Sequence, residues 1–400
     1  MDKYELDNNT GTQVSQPFLY YAGMVSYLLF FLNVEISWSY SGIPFKYLAF
    51  LLLSVHLLQV LSLYSRKEQF LLLLTLLLVS MVGLIAEQLA PLLLSFELIV
   101  GAKGIEFKNI LKVHFLVSVS ICLVSVVGSS LGLIDNVVVD LSNEVDLFAD
   151  STKRYSYGYV WPTACAVHIS YLCLTYWLIK NSHIGLEGLF CFIYAVYFVL
   201  FYPQARQASF IIILIIFVSL YLRIKSRHQR HPHKFFLFFL LISPIVFAAF
   251  SLFATIQFDG FDSTWLIVDI LFSGRLRLGQ EAIDEYGITL FGQHIEMIGG
   301  DVNMNDYNYV DSSFVQAPLI WGIVLFAILI LAYEYIAYHA FKRNDYSLLF
   351  AIAIAALSSV TSQYFFQIKF CPLILALFAS HTIEEQDNYV EEGFIEETDT

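Results

Sequence analysis

The sequence predicts an all-α polytopic membrane protein with about twelve transmembrane helices and a large extracytoplasmic loop between helices 9 and 10. Three observations predict this class. Of the 400 residues, 58% are hydrophobic and only 14% are charged, and the mean hydropathy is +0.69. Soluble domains carry roughly 25% charged residues. The apolar residues also fall into long runs, and the longest interval between such runs is 257–313.

The number of spans follows from the length of a membrane-crossing helix, which needs about 20 apolar residues. On this rule the cores of the predicted spans are 17–34, 45–64, 70–86, 89–101, 113–134, 158–179, 186–203, 207–222, 235–256, 314–339, 346–365 and 369–380. The fourth and the twelfth are short, so one of these two is a candidate re-entrant segment.

The distribution of basic residues predicts the orientation. Placing the N-terminus in the cytoplasm puts 14 of the 21 lysines and arginines on the cytoplasmic side. The strongest basic cluster, 223–234, comes directly before the ninth span. The loop 257–313 that follows this span is therefore predicted to be extracytoplasmic, as is the shorter loop 135–157.

The same reading divides the chain into three parts. A polar cytoplasmic segment, 1–16, precedes a continuous transmembrane domain, 17–380, and the acidic segment 381–400 forms a cytoplasmic tail. No cleavable signal is expected, because the first apolar segment is long enough to act as an anchor. The tail has the composition of a disordered, solvated run. The net charge of -13 resides mainly in the loops and in this tail, and it does not indicate a nucleic-acid partner.

The five cysteines all lie in apolar segments, without metal spacing, and predict no disulfide framework. No DxD, Walker, HExxH or nucleophile-elbow motif occurs in a suitable context, so no metal and no cofactor is predicted.

The long loop has recognisable local structure. Its run TWLIVDILF is too short to span a bilayer and is predicted to lie at the interface. Apolar residues recur near helical spacing over 274–286, and Arg277 and Glu281 form an i,i+4 pair, which together predict a short surface helix. The segment 299–309 is rich in turn residues and is predicted to be coil.

Arginines in outer segments are the first candidates for binding. Arg154 precedes the sixth span, Arg206 lies in the tight turn before the eighth, and Arg275 and Arg277 lie in the long loop. A guanidinium is permanently charged and binds phosphate in a bidentate manner. Arginines from three outer segments therefore predict a cationic pocket for a pyrophosphate, and the alternative is that they only reach for lipid head groups. Arg277 has an ordinary surface partner in Glu281.

Two residues of the long loop are candidate acids or bases. His294 is the histidine of this loop, and an imidazole titrates near pH 6.5 or so. Asp311 lies at the entry of the tenth span. Among the carboxylates inside apolar stretches, Glu97 and Glu334 lie deepest and are candidates for a substrate path or a proton relay. The alternative for both is packing against a polar neighbour.

At this point the layout resembles a known family. About twelve spans, a large late outer loop and outer arginines are similar to bacterial polysaccharide polymerases of the Wzy type, which are related to the O-antigen ligases. The local resemblance covers about 70 residues, in the runs RYSYGYVWPTACA, QARQASFIIILI, SGRLRLGQEAIDEYGITLFGQHIEM and YVDSSFVQAPLIWGI. Thr163 stands where this family usually has Asn, and Ala205 stands where it usually has Ser.

The resemblance implies a function. The substrates would be oligosaccharide repeat units on an undecaprenyl-pyrophosphate carrier, joined at the outer face of a bacterial inner membrane to make O-antigen, capsule or exopolysaccharide. Arg275 and Arg206 would be catalytic, and Arg154, Arg277 and Tyr307 would bind substrate. Arg154, Arg206 and Arg275 would bind and neutralise the leaving pyrophosphate. Either His294 or Asp311 would deprotonate the acceptor hydroxyl. Besides the glycan and the bilayer, chain-length regulators and flippases are expected partners.

Three alternatives stay open at this stage. An O-antigen ligase would use the same donor and a different acceptor. A secondary transporter fits the number of spans, although no similarity between the two halves of the chain is visible. A non-catalytic membrane scaffold would tolerate replacement of each outer arginine.

Overall fold

A computed structural model describes residues 17–38, 40–140, 153–227, 232–299 and 308–381 of the 400. The predicted N-terminal segment and nearly all of the predicted acidic tail lie outside these residues, as does Tyr307. The helices in chain order are α1 (Pro17–Asn33), α2 (Ile43–Val60), α3 (Arg66–Ile85), α4 (Leu89–Gly101), α5 (Phe107–Ser130), α6 (Pro162–Ile179), α7 (Leu186–Phe201), α8 (Arg206–Arg227), α9 (Lys234–Leu241), α10 (Ser243–Ile256), α11 (Ser263–Leu271), α12 (Arg275–Tyr286), α13 (Ser313–Lys342) and α14 (Tyr346–Ser359).

Helix length and composition agree with an all-α membrane protein. Six helical segments of the described residues are long and apolar enough to cross a membrane, and the bent pair α9–α10 gives up to seven. Four apolar helices are shorter, namely α1, α4, α7 and α14. The class predicted from the sequence is therefore supported, whereas the number of twelve spans stays a prediction.

Two predicted spans are interrupted. The span predicted over 235–256 consists of α9 and α10, which meet at an angle of 58°. Pro244 lies in the first turn of α10, where its missing N–H and its ring prevent α9 from continuing. Helix α13 contains one residue with non-helical backbone, Gly322, at φ 79° and ψ 161°. A left-handed φ of this kind is readily adopted only by glycine.

The break in α13 is filled by the long loop. The backbone N–H groups of Ile323 and Val324 donate to the carbonyl oxygens of Thr289 and Leu290, at 3.0 and 3.2 Å. The N–H of Gln293 donates to the carbonyl of Ile320 at 3.0 Å. Segment 287–293 therefore replaces the hydrogen bonds that the helix loses, as an apolar environment requires.

The last predicted span, 369–380, is not a spanning helix. After α14 ends, residues 360–371 run without regular helix through the interior, and a 3₁₀ helix of six residues, Pro372–Leu377, follows. Non-helical backbone is tolerated at this depth only where protein or a water-filled cavity surrounds it. The surrounding side chains supply hydrogen bonds, for example from the Tyr333 hydroxyl to the carbonyl of Phe365 at 2.8 Å. The short length of this predicted span, which makes it one of the two candidate re-entrant segments, and Pro372 are the signs in the sequence that it is not an ordinary spanning helix.

Burial distinguishes central from peripheral helices. Of the most apolar 18-residue window of α6, 78% is buried inside the protein, compared with 17% for α3. Most of α14 is buried as well. Helices α6 and α14 therefore form the centre of the bundle, and α3 presents most of its surface outward. The predicted outer loop 135–157 contains a two-stranded antiparallel sheet, β1 (Val138–Asp140) and β2 (Lys153–Tyr155).

Candidate functional site

The candidate site lies at the end of the bundle where residues 257–299 and 308–312 pack, which is called the loop end below. Helix α12 begins after Gly274, a residue with left-handed backbone at φ 78°. The carboxylate of Asp269, from α11, accepts the N–H groups of Leu276 and Arg277 at 2.9 and 3.2 Å. A carboxylate at a helix N-terminus satisfies otherwise free donors and the positive end of the helix dipole. Asp269 thereby fixes the first turn of α12, and with it the position of Arg275.

Arg275, in this first turn of α12, forms an ion pair with Asp311, which lies just before α13. The guanidinium Nη2 lies 3.2 Å from the Asp311 carboxylate, and Nη1 donates to the carbonyl of Phe272 at 3.3 Å. The two side chains are only 21% and 28% exposed. The Nε atom of Arg275 is buried and has no hydrogen-bond partner among the described residues. The guanidinium therefore keeps an unused donor in a partly desolvated place.

Burial also affects the carboxyl group. It raises the pKa of Asp311 above its ordinary value, and the neighbouring Arg275 cation opposes that rise. A carboxylate with a raised pKa is a stronger base than one in water, which suits it to accept a proton. Asp311 is thus the better placed of the two residues that the sequence offered as a base.

The second of those residues, His294, lies elsewhere. Its Nδ1 atom is 3.8 Å from the carboxylate of Glu87, in the turn between α3 and α4, and both side chains are more than half exposed. The neighbouring Gln293 side chain anchors the loop to the carbonyls of Gly287 and Leu319 at 2.8 and 3.2 Å. His294 therefore belongs to the region where the loop fills the α13 break, and not to the Arg275–Asp311 pair.

Arg154 and Arg206 lie on two segments that touch. The N–H of Tyr155 in β2 donates to the carbonyl of Tyr202 at 3.1 Å, and the Gln204 side chain donates to the carbonyl of Lys153 at 3.3 Å. Arg154 is in the middle of β2, and Arg206 is the exposed first residue of α8. Strand β2, which contains Arg154, therefore packs against the turn that precedes Arg206.

The carboxyl end of α14 links these two groups. The Gln207 side chain donates to the carbonyl of Ser358 at 2.5 Å. The hydroxyl groups of Ser358 and Ser362 are 3.4 Å apart, and the N–H of Ser313 donates to the carbonyl of Ser362 at 3.0 Å. Ser313 is two residues beyond Asp311. The starts of α8 and α13 therefore meet at one serine-rich position.

Arg277 points away from the pair. Its guanidinium lies 3.2 Å from Glu281, and both side chains are more than half exposed. This confirms the predicted i,i+4 pair and also the predicted helix over 274–286. The substrate-binding role that the resemblance implies for Arg277 is therefore left out of the proposal below, and Arg277 is a matched comparison for Arg275, two residues away on the same helix.

Polar groups that the sequence analysis did not single out as a site lie beneath Asp311. The Tyr309 hydroxyl donates to the Gln363 side chain at 2.5 Å, and Gln316 donates to Gln363 at 3.1 Å. Six residues further along, Lys369 forms an ion pair with Glu35, and these side chains are 13% and 16% exposed. In the sequence, the indication of this pair is Lys369, a charged residue at the start of the otherwise apolar predicted span 369–380.

Buried histidines lie near Lys369. His114 Nε2 donates to the carbonyl of Ile368 at 2.9 Å, so its Nδ1 is left as a bare acceptor. His168 Nδ1 is 2.6 Å from the Tyr159 hydroxyl, and its Nε2 has no partner among the described residues. The interior beneath the loop end is thus polar, although the surface of the bundle is apolar. In the described ranges, no group of three or more His, Cys, Asp or Glu side chains is arranged to hold a metal ion.

Comparison with known proteins adds no relative. No protein-family model, no curated protein and no solved structure matches the chain. The fold and the site define a helical, membrane-type protein with a polar interior at one end.

Proposed function

We propose that the protein is a membrane glycosyltransferase that polymerises undecaprenyl-pyrophosphate-linked oligosaccharide repeat units into a surface polysaccharide. One observation supports this proposal most directly. Arg275 is held by the capped start of α12 in a partly desolvated position, only 21% exposed, with a carboxylate partner. Together with the family resemblance of the flanking runs, this arrangement fits a site that binds a lipid-linked pyrophosphate.

The proposed reaction needs one nucleophile, one leaving group and one base. The acceptor hydroxyl oxygen attacks the anomeric carbon of the donor chain, and the bond from that carbon to the pyrophosphate oxygen breaks. The electron pair of this bond leaves with the carrier pyrophosphate, whose developing charge Arg275 neutralises. The hydroxyl proton passes to Asp311. No nucleotide sugar and no metal take part in this scheme.

Arg275 and Asp311 would exchange partners during binding. In the absence of substrate Arg275 stabilises the carboxylate of Asp311 and opposes the rise of its pKa. A pyrophosphate that takes the guanidinium would remove this stabilisation, so the pKa of Asp311 would rise further. Donor binding would therefore strengthen the base at the moment it is needed.

Arg206 and Arg154 would hold the distal part of the pyrophosphate or the lipid head-group region, since their segments adjoin α14 at the loop end. His294 has no assigned role in this scheme, because its ion-pair partner is Glu87. The inner membrane of a bacterium is the proposed location, with the loop end outside and both termini in the cytoplasm.

The experiment that tests the proposal compares surface glycan length in a deletion strain that carries wild type, Arg275→Ala or Arg277→Ala at equal protein level. The expected result is single repeat units for the deletion and for Arg275→Ala, and long polymer for Arg277→Ala, which removes the same charge from an exposed place. Polymer that is made and left unattached in the deletion strain would indicate the ligase reaction. Unchanged glycan in every strain would refute the glycosyltransferase proposal.

A secondary transporter is the second candidate, and a specific observation favours it. Irregular backbone at 360–371 surrounded by helices, together with the Lys369–Glu35 pair, is the kind of arrangement that transporters use for substrate sites. The deletion strain distinguishes the two candidates. If the protein transports the lipid-linked units, its loss leaves them on the inner face of the membrane, whereas the loss of a polymerase leaves them at the surface.

A further inference from the structure

The opposite end of the bundle contains two adjoining cavities that the proposed reaction does not use. This end carries Arg66, Lys103 and Lys342, and it is called the basic end below. The first cavity, of about 110 Å³, is lined by the basic side chains of His339, Arg343 and His381. The second, of about 430 Å³, is lined by the Glu68–Lys103 ion pair and by apolar side chains.

The two cavities share two residues of their walls, Tyr335 and Leu377. They therefore adjoin at these two residues, one at the end of α13 and the other along the side of that helix, and the two together are called the depression below. The apolar part of the second cavity is lined by Ile328, Leu331 and Phe378, together with Ala332. Leu331 is 62% exposed and Ile328 is 38% exposed, so the groove opens toward the lipid side of the bundle.

The dimensions of the groove match one leaflet of a bilayer. From Ile328 to His339 there are eleven residues of helix, or roughly 16 Å at 1.5 Å per residue. Half of a hydrocarbon core of about 30 Å is about 15 Å. An acyl chain in the groove would therefore reach from the middle of the bilayer to the level of His339, which is where head groups begin.

Charge complementarity identifies the head group. Arg343 is the permanent cation of one wall and lies beside His339, and Asp345 is the acidic neighbour that influences both Arg343 and His381. The Nε2 atom of His381 already contacts the carbonyl of Ala376 at 3.2 Å, so Arg343 is the main donor for an anionic head group. At the far rim, Lys103 lies 3.8 Å from Glu68 and over the ring of Tyr64, so that cation is already engaged. Basic pockets between membrane helices bind anionic lipid head groups on the cytoplasmic side.

We propose that this depression binds one anionic phospholipid of the adjacent leaflet. Its phosphate lies against Arg343, His339 and His381, and one acyl chain lies along Ile328 and Leu331. The site is independent of the proposed glycan chemistry, because no residue of the loop end contributes to it.

Native mass spectrometry of the full-length protein, loaded with phosphatidylglycerol or with phosphatidylcholine, tests the proposal. The expected result is one retained phosphatidylglycerol and no retained phosphatidylcholine. Arg343→Gln lowers retention about tenfold, or about 1.4 kcal/mol, because the variant loses a charge-assisted hydrogen bond to the phosphate. Lys342→Gln is the matched control, because Lys342 carries the same charge one residue earlier and lies over the ring of Tyr338. It leaves retention unchanged.

A second pair of variants tests the apolar part. Ile328→Trp fills the groove and abolishes retention, whereas Ile323→Trp, an exposed isoleucine of the same helix outside the groove, preserves it. Both isoleucines are exposed, so both variants are expected to fold, and their melting temperatures check this.

Three results would overturn the proposal. Equal retention of the two lipids would show that the head group is not recognised. Equal losses in Arg343→Gln and Lys342→Gln would show only a general charge effect. Stabilisation by inorganic phosphate that depends on Arg343, without retained phosphatidylglycerol, would make this a free-anion site and not a lipid site.

Discussion

Lys369 forms an ion pair with Glu35 across 334 residues of sequence. Glu35 follows the end of α1, and Lys369 lies on the irregular segment that crosses the interior after α14. The pair therefore joins the first helix to the last interior segment, where neither charge has much access to water. Removing one partner leaves an uncompensated charge in a place of low polarity.

The stability of this pair is testable by a double-mutant cycle. Glu35→Gln and Lys369→Met are each expected to lower the free energy of unfolding by about 3 kcal/mol, because each leaves one buried charge unpaired. The double variant is expected to lose less than the sum of the two. Thermal denaturation in detergent measures the stability of the two single variants and of the double variant relative to wild type. Additive losses would show that the two side chains do not interact.

The break in α13 predicts a difference between two glycines. Gly322 and Gly274 both have positive φ, at 79° and 78°, whereas ψ is 161° at Gly322 and 7° at Gly274. Alanine at 274 costs about 1 to 2 kcal/mol in backbone strain, and alanine at 322 costs up to about 3 kcal/mol, because only glycine readily adopts that combination of φ and ψ. A methyl group at 322 also collides with the backbone of Gly292 and Leu290, whereas one at 274 meets nothing within 4 Å. Gly322→Ala is therefore expected to lower the melting temperature clearly more than Gly274→Ala. Equal shifts would contradict the packing of the loop into the break.

The raised pKa of Asp311 predicts a pH dependence of stability. Burial keeps the proton on this carboxyl in the folded protein to a higher pH than in the unfolded chain. The favourable contribution of the protonated group is fully present below the ordinary pKa, and it is lost as the pH rises through the raised value. Replacing Asp311 with Asn removes this loss, so the variant gains stability relative to wild type as the pH increases. Arg275→Ala has the opposite effect and steepens the loss. Melting temperatures at mildly acidic and at neutral pH measure both slopes.

Cysteine labelling tests the orientation. Phe261 is fully exposed at the loop end, at 100%, and Lys342 ends α13 at the basic end. In a background in which the exposed Cys191 is replaced by serine, a membrane-impermeant maleimide is expected to label Phe261→Cys on intact cells. Lys342→Cys is expected to react only after the cells are lysed. Labelling of both from the same side would refute the proposed topology.

The class of protein and some local features could be predicted from the sequence alone. The helix predicted over 274–286 and the Arg277–Glu281 pair are present, because side chains four positions apart on a helix are neighbours whatever the rest of the fold does. The apolar composition likewise required helices long enough to cross a membrane. Such features depend on residues that are close together in the chain, and for that reason they can be predicted from the sequence.

Which charged side chains form ion pairs could be learned only from the tertiary structure. Arg275 meets Asp311 and Lys369 meets Glu35, and neither partnership follows from sequence spacing. The sequence does not distinguish His294 from Asp311 as a candidate base, whereas the structure places His294 beside Glu87. The sequence predicts one span that ends at 365 and another that begins at 369, whereas the whole of 360–371 is irregular and distant side chains take over its backbone hydrogen bonds. Partners contributed by other parts of the chain are set by packing, which no local pattern encodes.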